Sequence, residues 1–179
     1  MTATASALKV ESVPQGDVRL LDTDAAQRLL SSTIPARLAY VATDGTPRVV
    51  PTWFVWTGKA IVMATYVAGS AAGVRHPAAR LAALRANPTV ALTIDTETSP
   101  PQSVTIRGRA EIDEIDGLAP EYVSAAHRYL GDAAAAMLAG MDQPGTVQAR
   151  IAVRPTWVGL LDFADRLPSS LGGVQEVAS

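Results

Sequence analysis

No cysteine occurs in the chain, which excludes disulfide staples, thiolate nucleophiles and cysteine-ligated zinc. Histidine is nearly as scarce. The two present, His76 and His127, lie far apart in the sequence, so a histidine-rich metal centre is not expected. Charge of one sign is also lacking: 15 basic residues face 17 acidic ones for a net charge of -2. No global basic field draws the protein to nucleic acid, and any anion site must be local. No apolar run approaches the roughly 20 residues that span a bilayer, so no membrane partner is expected. The first residues, Met1 to Asp17, lack an apolar signal core, and the expectation is a cytoplasmic protein.

What remains is a globular composition. Hydrophobic residues make up 48% of the 179 positions and charged residues 18%, which suits one domain with a real core rather than a disordered chain. Residues 1–20 read as a flexible N-terminal arm, 21–168 as the folded domain and 169–179 as a C-terminal tail. Asp22 or Thr23 is placed to cap a short helix carrying Ala25, Ala26, Leu29 and Leu30, which stops near Pro35.

A three-strand meander follows. Arg37–Thr43 reads as a strand, Asp44-Gly45 as a hairpin turn, Pro47–Trp56 as a second strand, Thr57-Gly58-Lys59 as a turn, and Ala60–Tyr66 as a third strand. Val67–His76 is Gly-, Ala- and Ser-rich and reads as a loop. Pro77 suits a first helical turn, a helix runs Ala78–Ala86, and Asn87-Pro88 ends it. Thr89–Ile94 is a strand. In Val104–Ile112, Val104, Ile106, Gly108, Ala110 and Ile112 alternate with Thr105, Arg107, Arg109 and Glu111, the cleanest period of two in the chain. Residues 118–141 carry helical spacing with a break around Gly131-Asp132. Val147–Val153 and a last run through Trp157–Leu160 complete six or seven strands. The fold class expected is mainly β with inserted helices, an antiparallel barrel closing its own edges.

Three groups of residues offer chemistry. Ser70, Arg75, His76 and Arg80 surround the start of the inserted helix, where free N–H groups and guanidinium forks suit a phosphate. The same charges are equally consistent with a solvated helix face. Val50-Pro51-Thr52-Trp53-Phe54-Val55-Trp56 places a proline inside a strand, which belongs at an edge, bulge or end. Trp53 and Trp56 suit stacking on a planar ring or packing in a core or dimer interface. Arg107, Arg109, Arg150 and Arg154 either form an anion-binding wall, or pair across strands with Glu111 and Asp113 or make subunit contacts. His127 and Arg128 are expected to face solvent. No nucleophile elbow, phosphate-binding glycine loop or paired-histidine zinc motif is present in the sequence, and no general acid or base declares itself.

The order of these elements resembles the pyridoxamine 5′-phosphate oxidase-like split β-barrel superfamily, which includes flavin- and deazaflavin-dependent oxidoreductases. The resemblance covers Arg37 to about Leu167 and rests on Thr46–Trp56, Ile61–Tyr66, Arg80–Leu92 and Val104–Ala110. It implies a six- to seven-stranded antiparallel split β-barrel of the FMN-binding type, working as a homodimer with F420 or FMN as cofactor. By that likeness Val50, Pro51, Thr52 and Trp53 would line the ring, and Met63, Ala64, Thr65 and Tyr66 the ribityl chain. Arg75 and Arg80 would hold the phosphate, and Ser103 would reach the neighbour's site. Tyr66 would be a candidate proton donor. Arg166, in Arg166-Leu167-Pro168, echoes a substrate-side arginine-leucine pair of the true oxidases.

The histidine that follows that pair is absent here. The tyrosine, arginine and serine that grip substrate phosphate in those oxidases also have no match in residues 118–141, so the likeness does not extend to oxidation of vitamin B6 phosphates. The loop Val67–Ala79 is longer than in typical relatives, and would either fold over the pocket or displace its phosphate site. The function implied is hydride transfer between F420 or FMN and a small organic molecule. The alternatives are a non-catalytic flavin or deazaflavin carrier and a cofactor-free barrel dimer.

Overall fold

The computed structural model describes residues 13–69, 73, 77–163 and 166. Seven strands form one antiparallel sheet: β1 (Ala36–Val41), β2 (Pro47–Thr52), β3 (Val55–Trp56), β4 (Ile61–Ala68), β5 (Thr89–Asp95), β6 (Gln102–Asp116) and β7 (Val147–Asp162). The helices are α1 (Asp24–Ser31), α2 (Ala79–Ala86), α3 (Pro120–Leu130) and α4 (Ala134–Met141), with a 3-10 turn, Gly131–Ala133, between the last two. This is the mainly β split-barrel architecture expected from the sequence.

The second strand is not continuous. It breaks at Trp53-Phe54, so that β2 pairs with β1 while β3 pairs with β4. The strand order is β2-β1-β5-β6-β7-β4-β3. Thus β2 and β3, separated by two residues of chain, are the two outermost strands of the sheet. A flat sheet of seven strands would hold its edges roughly 29 Å apart, whereas the short linker reaches no more than about 10 Å. The sheet must therefore curl until its edges meet, and the unpaired gap between them is the split. Pro51, which has no N–H to give a ladder, sits on the edge strand where such a residue is tolerated.

Strands β6 and β7 form the longest ladder, from Gln102 opposite Asp162 to Asp116 opposite Val147. The two final runs expected from the sequence are one 16-residue strand. Pro155 is accommodated because the register shifts between Arg107 and Gly108, opposite Trp157 and Pro155. Gly108 is required there: a Cβ would overlap the Arg154 carbonyl.

The alternation in β6 is observed as expected, with Val104, Ile106, Gly108 and Ala110 inward. They meet Leu38, Ile61, Met63, Leu92, Ile151 and Val158 in the barrel interior. Helix α1, capped by Thr23 Oγ1 accepting from the Ala26 N–H, buries Ala25, Ala26, Leu29 and Leu30 against the same core. Helix α2 adds Leu81 and Leu84. The arm expected over 1–20 is docked from Val13 onward. Gln15 brackets Leu160, its Nε2 donating to the carbonyl at 2.5 Å and its Oε1 accepting from the N–H at 2.9 Å. The Gly16 N–H donates to the Val158 carbonyl. Residues 1–12, the tail 169–179 and most of the loop between β4 and α2 lie outside the described residues. No helix among the described residues is long and apolar enough to cross a membrane.

Candidate functional site

The break that closes the barrel also opens a cavity. Pro51, Thr52 and Trp53 at the end of β2 face Val62, Met63 and Ala64 of β4, with Arg80 from the first turn of α2 and Glu121, Tyr122 and Ala125 from α3 completing the wall. The space measures about 210 Å³. Six of the residues expected at a cofactor site from the resemblance therefore stand around one cavity: Pro51, Thr52, Trp53, Met63, Ala64 and Arg80.

Arg80 gives this cavity its charge. Its Nε is buried and has no hydrogen-bond partner. Burial pushes the guanidinium below its ordinary range, an effect partly offset by nearby Tyr40. A half-buried cation with no carboxylate partner favours an anion beside its accessible end. The opposite wall carries Glu121, whose Oε1 accepts from Arg150 Nε at 2.9 Å and Nη2 at 2.7 Å. The Arg150 hydrogen bonds hold the Glu121 carboxyl below the usual carboxylate range. Glu121 Oε2 is buried and has no hydrogen-bond partner. One small cavity is thus bordered by a cation and an anion.

The Trp53 ring lies parallel to Tyr129 at 5.1 Å between centroids and 8° between planes, and 6.4 Å from Tyr122. The Tyr66 hydroxyl stands 3.4 Å from the Tyr122 hydroxyl. Burial first, and then Tyr122, push the Tyr66 phenol well above its ordinary value. It holds its proton firmly and stands behind Tyr122 rather than on the cavity wall.

The other expected site residues lie elsewhere. Val50 packs against the barrel core, on the opposite face of β2 from Pro51. Thr65 pairs with Ala149 in the β4–β7 ladder. Ser103 lies between Asp95 and Leu161 at the far end of β6. Arg166, expected near substrate, is instead 3% exposed and donates from Nη2 to the Val13 carbonyl at 2.6 Å, so it fastens the end of the barrel to the start of the described chain. Arg75, Ser70 and His76 lie outside the described residues, as do positions 71, 72 and 74 of the long loop expected to cover or displace the phosphate site.

Two further expectations are decided by the contacts. Arg154 pairs with Glu111 at 2.9 Å, and Arg150 with Glu121 and, at 3.7 Å, with Asp113. Arg107 lies 4.1 Å from the Trp157 ring centroid. These are cross-strand, strand-to-helix and stacking contacts rather than an anion-binding wall. Arg128 does not face solvent. It donates to the Leu30 carbonyl at 2.9 Å and to the Phe54 carbonyl, and lies over the Phe54 ring. It reaches back from α3 because the strand break and the end of α1 leave two carbonyls that need donors.

The α3 wall was not anticipated. Tyr122, Ala125, Ala126 and Tyr129 recur at i, i+3, i+4 and i+7, a stripe that marks one covered helix face. What that face covers is a non-local fact. Among the described residues no group of three or more His, Asp and Glu could hold a metal ion.

Comparison with known proteins agrees with this fold. A structure of an F420 reductase is 26% identical, with a TM-score of 0.54 over 74% of this chain and 94% of that one. A conserved hypothetical protein from Mycobacterium tuberculosis superposes over 93% of this chain and 98% of its own, at 19% identity and a TM-score of 0.59. A heme binding protein from Mycobacterium smegmatis shares the fold at 21% identity and a TM-score of 0.51, over 77% of this chain and 52% of that one. No sequence among the curated proteins matches the chain. Residues 22–160 match the family model described as pyridoxamine 5′-phosphate oxidase, and the chain belongs to that family.

Proposed function

We propose that the protein is an oxidoreductase that binds F420 or FMN at the split and passes hydride between that cofactor and a small organic molecule, acting as a homodimer. The observation that carries this is Arg80: a half-buried guanidinium on the wall of a cavity built from β2, β4 and α3. The likeness to an F420 reductase supports the same chemistry. The cavity is smaller than the roughly 300–1,000 Å³ of pockets that enclose a whole drug-sized ligand, so it takes one part of such a cofactor.

A flavin or deazaflavin supplies the hydride chemistry when bound. The chain supplies the rest. Arg80 holds the anionic end through a charge-assisted hydrogen bond. Pro51, Trp53 and Val62 keep water off the bound surface, and Tyr129 fixes the plane of the Trp53 ring. Tyr66, its phenol pushed up by burial, keeps its proton and leaves proton delivery to the substrate or to water. Titration of the protein with FMN and with F420 tests the reading. Tight binding of one of them, weakened by about 1.5–3 kcal/mol in Arg80→Ala, is expected for a lost hydrogen bond to a charged group.

A non-catalytic carrier is the second reading. It is favoured by one observation: the cavity's Glu121 is held below, and Tyr66 behind it above, the neutral range, so neither is poised as a proton-transfer group at neutral pH. Single-turnover mixing of the reduced holoprotein with quinones and enones separates the two. Oxidation of the cofactor faster than in free solution belongs to the enzyme.

A further inference from the structure

We propose that Met137 is a site of reversible oxidation by hydroperoxides, and that its sulfoxide shifts the Tyr122 wall of the cavity. The consequence for ligand affinity rests on the proposed binding of F420 or FMN at the split. The chain has no cysteine, so its four methionines are its only sulfur. Met1 lies outside the described residues, and Met63 is 2% exposed in the barrel core. Met137 and Met141 are both half-buried on α4. Met137 has a polar neighbour at its sulfur: the Tyr122 hydroxyl donates to Sδ at 4.0 Å.

A thioether is soft and polarizable, and oxidation turns it into a polar, chiral sulfoxide. The Sδ lone pair attacks one peroxide oxygen, the O–O bond breaks and an S–O bond forms. With hydrogen peroxide, the released hydroxide takes the proton left on the new oxygen, so the products are sulfoxide and water. Sulfur loses two electrons and the peroxide gains them. Met137 packs with Trp53 and Tyr122 against the buried Ala126, Ala134 and Leu138. An oxygen introduced among these apolar groups is costly unless a donor meets it. The Tyr122 hydroxyl stands ready to do so, exchanging a long contact to sulfur for a stronger bond to oxygen. Tyr122 also lines the cavity, and its hydroxyl accepts from Tyr66 at 3.4 Å. Its ring cannot follow the new oxygen without moving the cavity wall, and the Trp53 ring, 6.4 Å away, feels the change.

The full-length protein is treated with graded hydrogen peroxide, and each methionine is followed by peptide mass mapping. Met137 is expected to gain one oxygen before Met63 and faster than Met141, its half-buried neighbour on the same helix. Tyr122→Phe, which removes the hydroxyl and keeps the ring, is expected to erase the lead over Met141. Oxidation is expected to raise the dissociation constant of FMN or F420 by roughly threefold or more in the parent and to leave Met137→Leu unchanged. Methionine sulfoxide reductases should restore the original affinity. Tryptophan fluorescence should change on oxidation in the parent and not in Met137→Leu, with or without a cofactor. Oxidation of Met141 or Met63 ahead of Met137 overturns the site, and a lead that survives Tyr122→Phe overturns the part given to Tyr122. Full oxidation of Met137 with unchanged affinity, in a protein that binds a cofactor, overturns the coupling to the cavity. A protein that binds neither cofactor removes the proposed function instead, and the mass map and the fluorescence then decide the Met137 site by themselves.

Discussion

The Arg128 guanidinium lies 4.7 Å from the centre of the Phe54 ring and donates to the Phe54 carbonyl, while its other nitrogen reaches the Leu30 carbonyl at 2.9 Å. One side chain on α3 thus ties together the step between the two edge strands and the end of α1. Arg128→Ala leaves both carbonyls short of a donor and removes the cation–π contact. A loss of about 2–4 kcal/mol is expected, read from denaturant midpoints. Arg128→Lys should recover only part of it, because a point ammonium cannot serve both carbonyls and the ring.

Arg80 should behave in the opposite way. Its buried Nε has no partner in the protein itself, so Arg80→Met exchanges an incomplete charge for apolar volume. The ligand-free protein is expected to gain stability, by about 1 kcal/mol, while its affinity for FMN or F420 falls. Thermal melting with and without the cofactor checks both signs at once. A variant that melts lower in both conditions would show Arg80 to be structural.

Acid should expose the Glu121–Arg150 pair. The folded state lowers the Glu121 pKa from its ordinary value of 4.5, chiefly through the Arg150 hydrogen bonds. The pair's contribution is therefore full above that value and disappears as the pH falls through the lower folded value. Glu121→Gln should be less stable than the parent at pH 7, with the gap closing as the pH drops below about 4. Denaturation midpoints compared at neutral and acidic pH check the convergence.

At Gly108 the expectation is steric. Any Cβ would overlap the Arg154 carbonyl across the β6–β7 ladder, and a backbone atom cannot swing aside as a side-chain end can. Gly108→Ala should cost about 1–3 kcal/mol in unfolding free energy. Alanine at Gly140, inside α4 where a Cβ meets nothing within 4 Å, is the control and should stabilise, by up to about 1 kcal/mol.

Much of this fold could be read from residue order because its signals are local. The alternation from Val104 to Ile112 dictates which face of β6 is buried, and the Gly131-Asp132 break divides the two Ala-rich helices as expected. The features that escaped are those set by distant partners. Pro47–Trp56 carries strand-forming residues throughout, and nothing within it reveals that the first half pairs with β1 and the second with β4. Pro155 looks like a strand end until a register shift opposite Gly108 absorbs it. Arg128 looks solvent-facing because its partners, Leu30 and Phe54, are 98 and 74 positions away. At the candidate site, the β2 and β4 walls and Arg80 were anticipated through the resemblance. The α3 wall was not, because a helical stripe announces burial without naming what it covers.

The two-residue link at Trp53-Phe54 has a bearing on how this protein could change over time. The same few peptide units set the circumference of the barrel and the shape of the cavity mouth. Lengthening the link to admit a bulkier ligand would let the outer strands drift apart, and shortening it would pull Trp53 from its Tyr129 platform. Variation in ligand preference is thus channelled away from the link and toward α2 and α3, which can tilt, lengthen or exchange side chains while the cylinder behind them keeps its girth.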